Sequence, residues 1–148
     1  MKTLYSTHLI VFYKKKYLLQ LRDKKKGIHF PGFWGLFGGK IKPNETSLNA
    51  IKREIIEETN FEIKKFKKKY RFNIKGKDLV RTRDITYFQG ELKRLPDQIS
   101  IREGKSFGFF SFDEIKKIKI TSFDFAAISF HYFTKILKKD VLPKKIKY

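Results

Sequence analysis

GKIKPNETSLNAIKREIIEETNF, residues 39–61, holds the most tightly spaced pattern of glycine, acids and arginine in the chain. Gly39 opens it, Glu45 follows after five residues, and Arg53-Glu54-Ile55-Ile56-Glu57-Glu58 comes after seven more. Pro43 and Asn44 end a loop, and Thr46 or Ser47 is suited to cap a helix by accepting a bond from a free backbone N–H. The helix is expected over residues 47–59, with Leu48, Ile51, Ile55 and Thr59 at 3-4 spacing as its buried stripe. Glu54 lies i,i+3 from Glu57 and i,i+4 from Glu58, so the three carboxylates project from one side. Like charges placed this way repel by about 0.2–0.5 kcal/mol per pair. A divalent cation in a cleft beside that stripe would offset the repulsion.

Outward from this segment the chain alternates between strand and helix signals. Residues 8–13 and 17–22 read as a strand pair joined through Lys14–Lys16, and residues 24–33 as a loop punctuated by Gly27, Pro31 and Gly32. Residues 34–37 read as a short strand running into Gly38-Gly39. Residues 61–74 and 78–92 suit long antiparallel strands around a turn at Lys75-Gly76-Lys77. Residues 106–112 read as a further strand, and Asp113-Glu114-Ile115 starts a short helix. Residues 122–138 read as a second long helix with Phe123, Ala126, Phe130, Phe133 and Leu137 on one apolar side. Strands that precede and separate two helices imply a mixed sheet covered on both faces.

Composition narrows the class. The 148 residues suit one domain, 1–148, with a sizeable core, ending in a basic tail at about 139–148. With 16 Phe and 7 Tyr the chain is not of disordered composition. The absence of cysteine excludes disulfides, zinc–thiolate sites and thiol nucleophiles. No apolar run approaches a membrane span, and the N-terminus lacks a signal peptide's pattern, so a cytoplasmic location is expected and no membrane partner. The net charge of +20 is concentrated in part at residues 63–77, which carry eight Lys or Arg and no acid. Lysine greatly outnumbers arginine, which suits compositional drift and general attraction of polyanions better than bidentate phosphate recognition.

The spacing within residues 39–61 resembles the Nudix box, G-x5-E-x7-R-E-U-x-E-E-x-G-U, where U is a bulky aliphatic. Gly39, Glu45, Arg53, Glu54, Ile55, Glu57 and Glu58 match it in register. Asn60 stands where the pattern has glycine, and Phe61 is aromatic. Asn best replaces glycine in a left-handed helix stop, so the stop is expected to survive in that form. The resemblance implies an α/β fold, the Nudix-type α/β/α sandwich with a mixed sheet between helices, mapped over roughly residues 5–138.

It also implies the chemistry: Mg²⁺-dependent hydrolysis, with Mn²⁺ as an alternative ion, of the diphosphate linkage in a nucleoside diphosphate joined to another group. Glu57 and Glu58 are the implied principal metal ligands, with the Gly39 carbonyl. Glu54 would bind metal or orient and deprotonate the attacking water, and Arg53 would hold a carboxylate through its planar fork. The implied catalytic set is therefore Glu54, Arg53 and Glu57. Glu45 would support the loop and the ligands' own partners. Glu103 is the first choice for an extra acid outside the box, ahead of Glu91 and Asp97. Gly38 with Gly39 would let backbone approach metal and phosphate. Arg22 is a candidate for phosphates, and Phe33, Trp34 and Phe110 for base stacking. His8 and His131 read as structural residues, and His29 as a loop residue near the cleft mouth.

PGFWGLFGGKI, residues 31–41, resembles the mutator-type nucleoside triphosphate pyrophosphatases, although Phe37 stands where many of these have proline. The favoured substrate is a small-molecule nucleoside triphosphate, cleaved to monophosphate and pyrophosphate. A nucleotide-sugar hydrolase is one alternative. An RNA 5′-end pyrophosphohydrolase, using the Lys-rich segment along a nucleic acid partner, and a silent nucleotide-binding module are the others. A homodimer is left open.

Overall fold

The structure, a computed structural model, describes residues 2–75, 81–94, 99–102 and 104–136. The elements run β1 (Thr3–Tyr13), β2 (Lys16–Leu21), β3 (Trp34–Gly35), β4 (Phe37–Lys40), α1 (Ser47–Glu58), β5 (Glu62–Ile74), β6 (Thr82–Arg94), β7 (Ser106–Phe110), α2 (Phe112–Ile115) and α3 (Ser122–His131), which runs into a π-helical turn, Tyr132–Ile136. The expected turn at Lys75-Gly76-Lys77, the acids Asp97 and Glu103 and the tail at 139–148 fall wholly or partly outside the described residues.

β1 is the organising strand. One edge pairs in parallel with β6 from Thr3↔Thr82 to Val11↔Gly90, and β6 pairs antiparallel with β5. The other edge is shared: Ser6–Leu9 pair antiparallel with β4, and Phe12–Tyr13 with β2. β2 in turn carries β3 and β7, both antiparallel. The single short strand expected at residues 34–37 is therefore two. β3 serves β2 and β4 serves β1, and Leu36 between them gives its backbone groups to side chains. Its N–H donates to Asp124 Oδ2 at 2.9 Å and its carbonyl accepts from Gln20 Nε2 at 3.3 Å.

Alternation along the strands supplies two cores. Leu9, Val11, Leu18, Phe37 and Phe88 face α1, where Ile51 and Ile55 meet them. Ile10, Tyr17, Leu19, Leu36, Ile85 and Tyr87 face α2 and α3, where Phe112, Ile115, Ala127 and Ile128 meet them. The architecture is an α/β/α sandwich on a mixed sheet.

Two helix faces differ from expectation. Leu48 is 37% exposed, and α1 buries Ala50, Ile51, Ile55 and Glu58. On α3 the buried residues are Asp124, Ala127, Ile128 and His131, while Phe130 and Phe133 stay exposed. Polar partners set that rotation. Asp124 accepts from the Tyr87 hydroxyl at 3.0 Å and lies 2.7 Å from His8 Nδ1. His131 Nδ1 lies 2.7 Å from the Tyr17 hydroxyl. A count of apolar residues alone misses both.

The end of α1 also differs. Thr46 Oγ1 caps its start by accepting the Asn49 N–H, but Asn60 does not take up a left-handed conformation at its end. Thr59 is extended, its Oγ1 donates to the Ile55 carbonyl at 2.8 Å, and the Asn60 side chain accepts the Ser100 N–H at 3.0 Å. The Arg102 N–H reaches the Glu58 carbonyl at 2.8 Å, and its guanidinium donates to the carbonyls of Ile56 and Thr59. A crossing segment thus satisfies carbonyls that a glycine stop would have satisfied locally.

Candidate active site

Gly38 and Gly39 sit where β4 lies against β1 and faces α1. Gly38 has φ +147°, and a Cβ there would come within 2.1 Å of the Thr7 carbonyl oxygen, so this position needs glycine. A Cβ on Gly39 would come within 2.5 Å of the Glu54 carboxylate. The missing side chains let α1 lay its acidic stripe directly on the β4 backbone.

Arg53 organises that stripe. Its Nε and Nη2 donate to the two oxygens of Glu45 at 2.8 and 3.0 Å. Nη1 donates to Glu54 at 2.9 Å and to Glu57 at 3.2 Å, and Nη2 also reaches the Lys40 carbonyl at 3.0 Å. Charge-assisted bonds of this forked kind are among the strongest available to a side chain. The Arg53 bonds, with the Lys42 N–H, hold the Glu45 carboxyl well down, at about 2. The Glu45 bond, with those of its neighbours, raises Arg53 in return. Glu58, 4% exposed, accepts the Gly38 N–H at 3.1 Å.

Glu54, Glu58, Gly38 and Gly39 line a cleft of about 640 Å³, together with Arg22, Lys25 and Arg102. Glu57 does not line it; its side chain is 47% exposed and held by Arg53. Among the described residues no three acidic or histidine side chains converge as placed to hold a metal ion. The donors still fit one in kind. Glu54 and Glu58 of α1 face the cleft beside a backbone bare of side chain, Asp23 lines it too, and there is no thiol in the chain, which suits Mg²⁺ or Mn²⁺ rather than a softer ion.

A recess of about 250 Å³ shares Arg22, Gly38 and Gly39 with the cleft. Its walls include His8, Phe30, Phe123 and Asp124, with Arg81 and Arg83 at the rim. The Arg83 guanidinium lies 5.2 and 5.7 Å from the Phe30 and Phe123 ring centres, and desolvation with the charges of Arg22 and Arg81 lowers its pKa. Burial pushes the Asp124 carboxyl up, but the charge and bond of His8 and the Leu36 N–H outweigh it, and the net shift is down.

Of the residues singled out for substrate, the structure brings Arg22 and Gly38 to the cleft and not the others. Trp34 and Phe110 pack on each other at 4.7 Å and against the α3-side core. Phe33 lies under the Lys119 ammonium, 4.3 Å from its ring centre. Glu91 pairs with Lys64 on the β5–β6 ribbon. His29 is exposed at the rim of the recess. Phe30, Arg83, Arg102, Phe123 and Asp124 belong to no local motif. Only Asp124, the one acid of α3, carried a signal.

Comparison with known proteins decides the family. The NUDIX domain profile matches residues 3–129. This chain belongs to the Nudix family. It is a hydrolase, of the kind that acts on nucleoside diphosphate derivatives. Its fold is similar to that of the MutT protein from Methanosarcina mazei Go1 (20% identity, 93% of this chain and 97% of that one, TM-score 0.74). It is similar too to the MutT Nudix hydrolase from Burkholderia pseudomallei (18%, 87% and 98%, 0.73). A bifunctional NMN adenylyltransferase/ADP ribose pyrophosphatase from Francisella tularensis, solved with AMP and a Mn ion, shares the fold over 41% of its length (18%, 87% of this chain, 0.71). No curated protein matches.

Proposed function

We propose that this Nudix hydrolase is a Mg²⁺- or Mn²⁺-dependent nucleoside triphosphate pyrophosphatase, releasing nucleoside monophosphate and pyrophosphate. The observation that carries the reading is the Gly38-Gly39 ridge, where Glu54 and Glu58 of α1 meet a cleft lined also by Arg22, Asp23, Lys25 and Arg102, which shares Arg22 with a recess walled by rings and arginines. Glu54, Glu58 and the Gly39 carbonyl would hold the ion, joined by Glu57 if its carboxylate leaves Arg53. Bound there, the ion would neutralise diphosphate charge and make a bound water more acidic.

The chain's own groups do the rest. Glu54, held by Arg53, accepts the proton of the attacking water as its oxygen bonds to phosphorus and the bridging P–O bond breaks toward the leaving pyrophosphate. Arg22, Lys25 and Arg102 meet the phosphates, and the recess takes the base. Among the described residues no helix is long and apolar enough to cross a membrane. We place the enzyme in the cytoplasm.

The test is ³¹P NMR of products from nucleoside triphosphates and from sugar nucleotides, with Mg²⁺ and with Mn²⁺. Pyrophosphate from a triphosphate, lost in Glu54→Gln, supports the reading. Preferential release of sugar phosphate replaces it with a nucleotide-sugar hydrolase.

A further inference from the structure

At the end of β1 remote from the Gly38-Gly39 ridge lies a second groove, of about 450 Å³. Phe12 and Tyr13 from β1, Lys65 and Lys67 from β5, and Lys135 from the π-helical turn line it. Glu91 is the one carboxylate among its lining residues, and it pairs with Lys64 at 3.5 Å. A register shift between Lys68 and Tyr70 sets Lys69 into a β-bulge, a device that re-aims a side chain. Burial, together with crowding by Lys135 and Lys67, lowers the pKa of Lys69. The neighbouring His131 ring is fully buried, its Nε2 has no hydrogen-bond partner, and Lys69 and Lys135 are close enough to disfavour its protonation.

The ammonium groups of Lys67 and Lys69 on β5 and of Lys135 on the π-helical turn repel one another, which costs stability. An anion placed among them removes that cost. The groove offers more than charge, since the half-buried Tyr13 lines it beside the lysines, while the Phe12 ring packs on Tyr17 and His131 in the α3-side core. Cations that track a phosphate backbone next to rings on which bases stack are the two parts of a single-strand-binding surface.

We propose that this groove binds single-stranded nucleic acid, with phosphates on Lys67, Lys69 and Lys135 and a base against Tyr13. The site is separate from the hydrolytic cleft and does not depend on what the cleft hydrolyses.

The test is fluorescence anisotropy of the full chain with a labelled uridine oligomer of about 12 nucleotides, over a range of salt. The triple variant Lys67→Gln/Lys69→Gln/Lys135→Gln should bind at least about tenfold more weakly, with a salt slope shallower by about 2, since each released phosphate contributes about 0.7 on a single strand. Tyr13→Ala should weaken binding about tenfold with its salt slope unchanged. Nucleotide hydrolysis by the triple variant should equal that of the parent, and its melting temperature should not fall. Lys24→Gln/Lys26→Gln/Lys119→Gln removes the same charge at the other end of the molecule. If it weakens binding as much, the groove is not the site and the proposal fails. Equal displacement by inorganic tripolyphosphate with Tyr13→Ala neutral overturns it in favour of a bare phosphate chain.

Discussion

Adjacent glycines of β4 should fail in opposite ways when each is given one methyl group. In Gly38→Ala the new Cβ meets backbone: the Thr7 carbonyl at 2.1 Å and His8 Cα at 2.7 Å, at φ +147°. A residue held in so sparsely populated a conformation costs about 1–3 kcal/mol by itself. The clash adds to that, because relief requires β4 to move off β1 at the His8↔Gly38 pair. A loss of about 3 kcal/mol or more is expected. In Gly39→Ala the Cβ meets the Glu54 carboxylate at 2.5 Å, and ordinary contact begins near 3.4 Å, so the carboxylate must retreat by about 0.9 Å. A side chain can do this, so stability should change by less than about 1 kcal/mol. A misplacement of about 1 Å costs a reacting group about 100-fold in rate, or about 2.7 kcal/mol in the barrier. Urea denaturation followed by fluorescence, with kcat/KM on the preferred triphosphate, reads both quantities. The reasoning is refuted if Gly39→Ala keeps its activity within about threefold, or if it destabilises the fold as much as Gly38→Ala.

Three further outcomes are expected. Glu57→Gln should raise the Mg²⁺ concentration needed for half-maximal rate about tenfold or more, with a melting temperature near the parent's; an unchanged metal titration would remove Glu57 from the ligand set. His131, with its ordinary pKa of 6.5 lowered to about 4 by burial and then by Lys69 and Lys135, binds fewer protons folded than unfolded between those values. Stability is therefore full above pH 6.5 and falls by about 3 kcal/mol on acidification to pH 4, and His131→Gln should flatten that part of the pH–stability curve. Lys14 and Lys15 both have positive φ, at 47° and 61°, in the two-residue turn between β1 and β2. Lys15→Gly should stabilise the protein by about 0.5–1 kcal/mol in thermal or urea melts, and a loss would contradict that turn geometry.

Elements were readable where a pattern is local. The helix at Ser47–Glu58, the β1–β2 pair and the long β5–β6 ribbon all follow from periodicity and punctuation within short windows. The split of residues 34–37 into β3 and β4 was not readable, because neither partner strand is near in sequence. The rotation of α3 was missed because a count of apolar residues gives no weight to Asp124 and His131, whose partners are His8, Tyr87 and Tyr17. The left-handed stop at Asn60 was not used, because the segment at 99–102 supplies the missing donors from outside the helix.

The spacing of Gly39, Glu45, Arg53, Glu54, Glu57 and Glu58 is written in the chain, and because a helix repeats every 3.6 residues it puts Glu54, Glu57 and Glu58 on one side whatever surrounds them. That was enough for the family and for the kind of chemistry. Which of those carboxylates face the cleft, and that Glu57 is held by Arg53 outside it, follows from how α1 packs on β4. The fold likewise brought Arg22, Arg81 and Arg83 to one recess, and Lys65, Lys67 and Lys135 to one groove with Lys69 close to Lys67 and Lys135. Such gatherings depend on strand pairings that join residues far apart in the chain, and no local window carries that information.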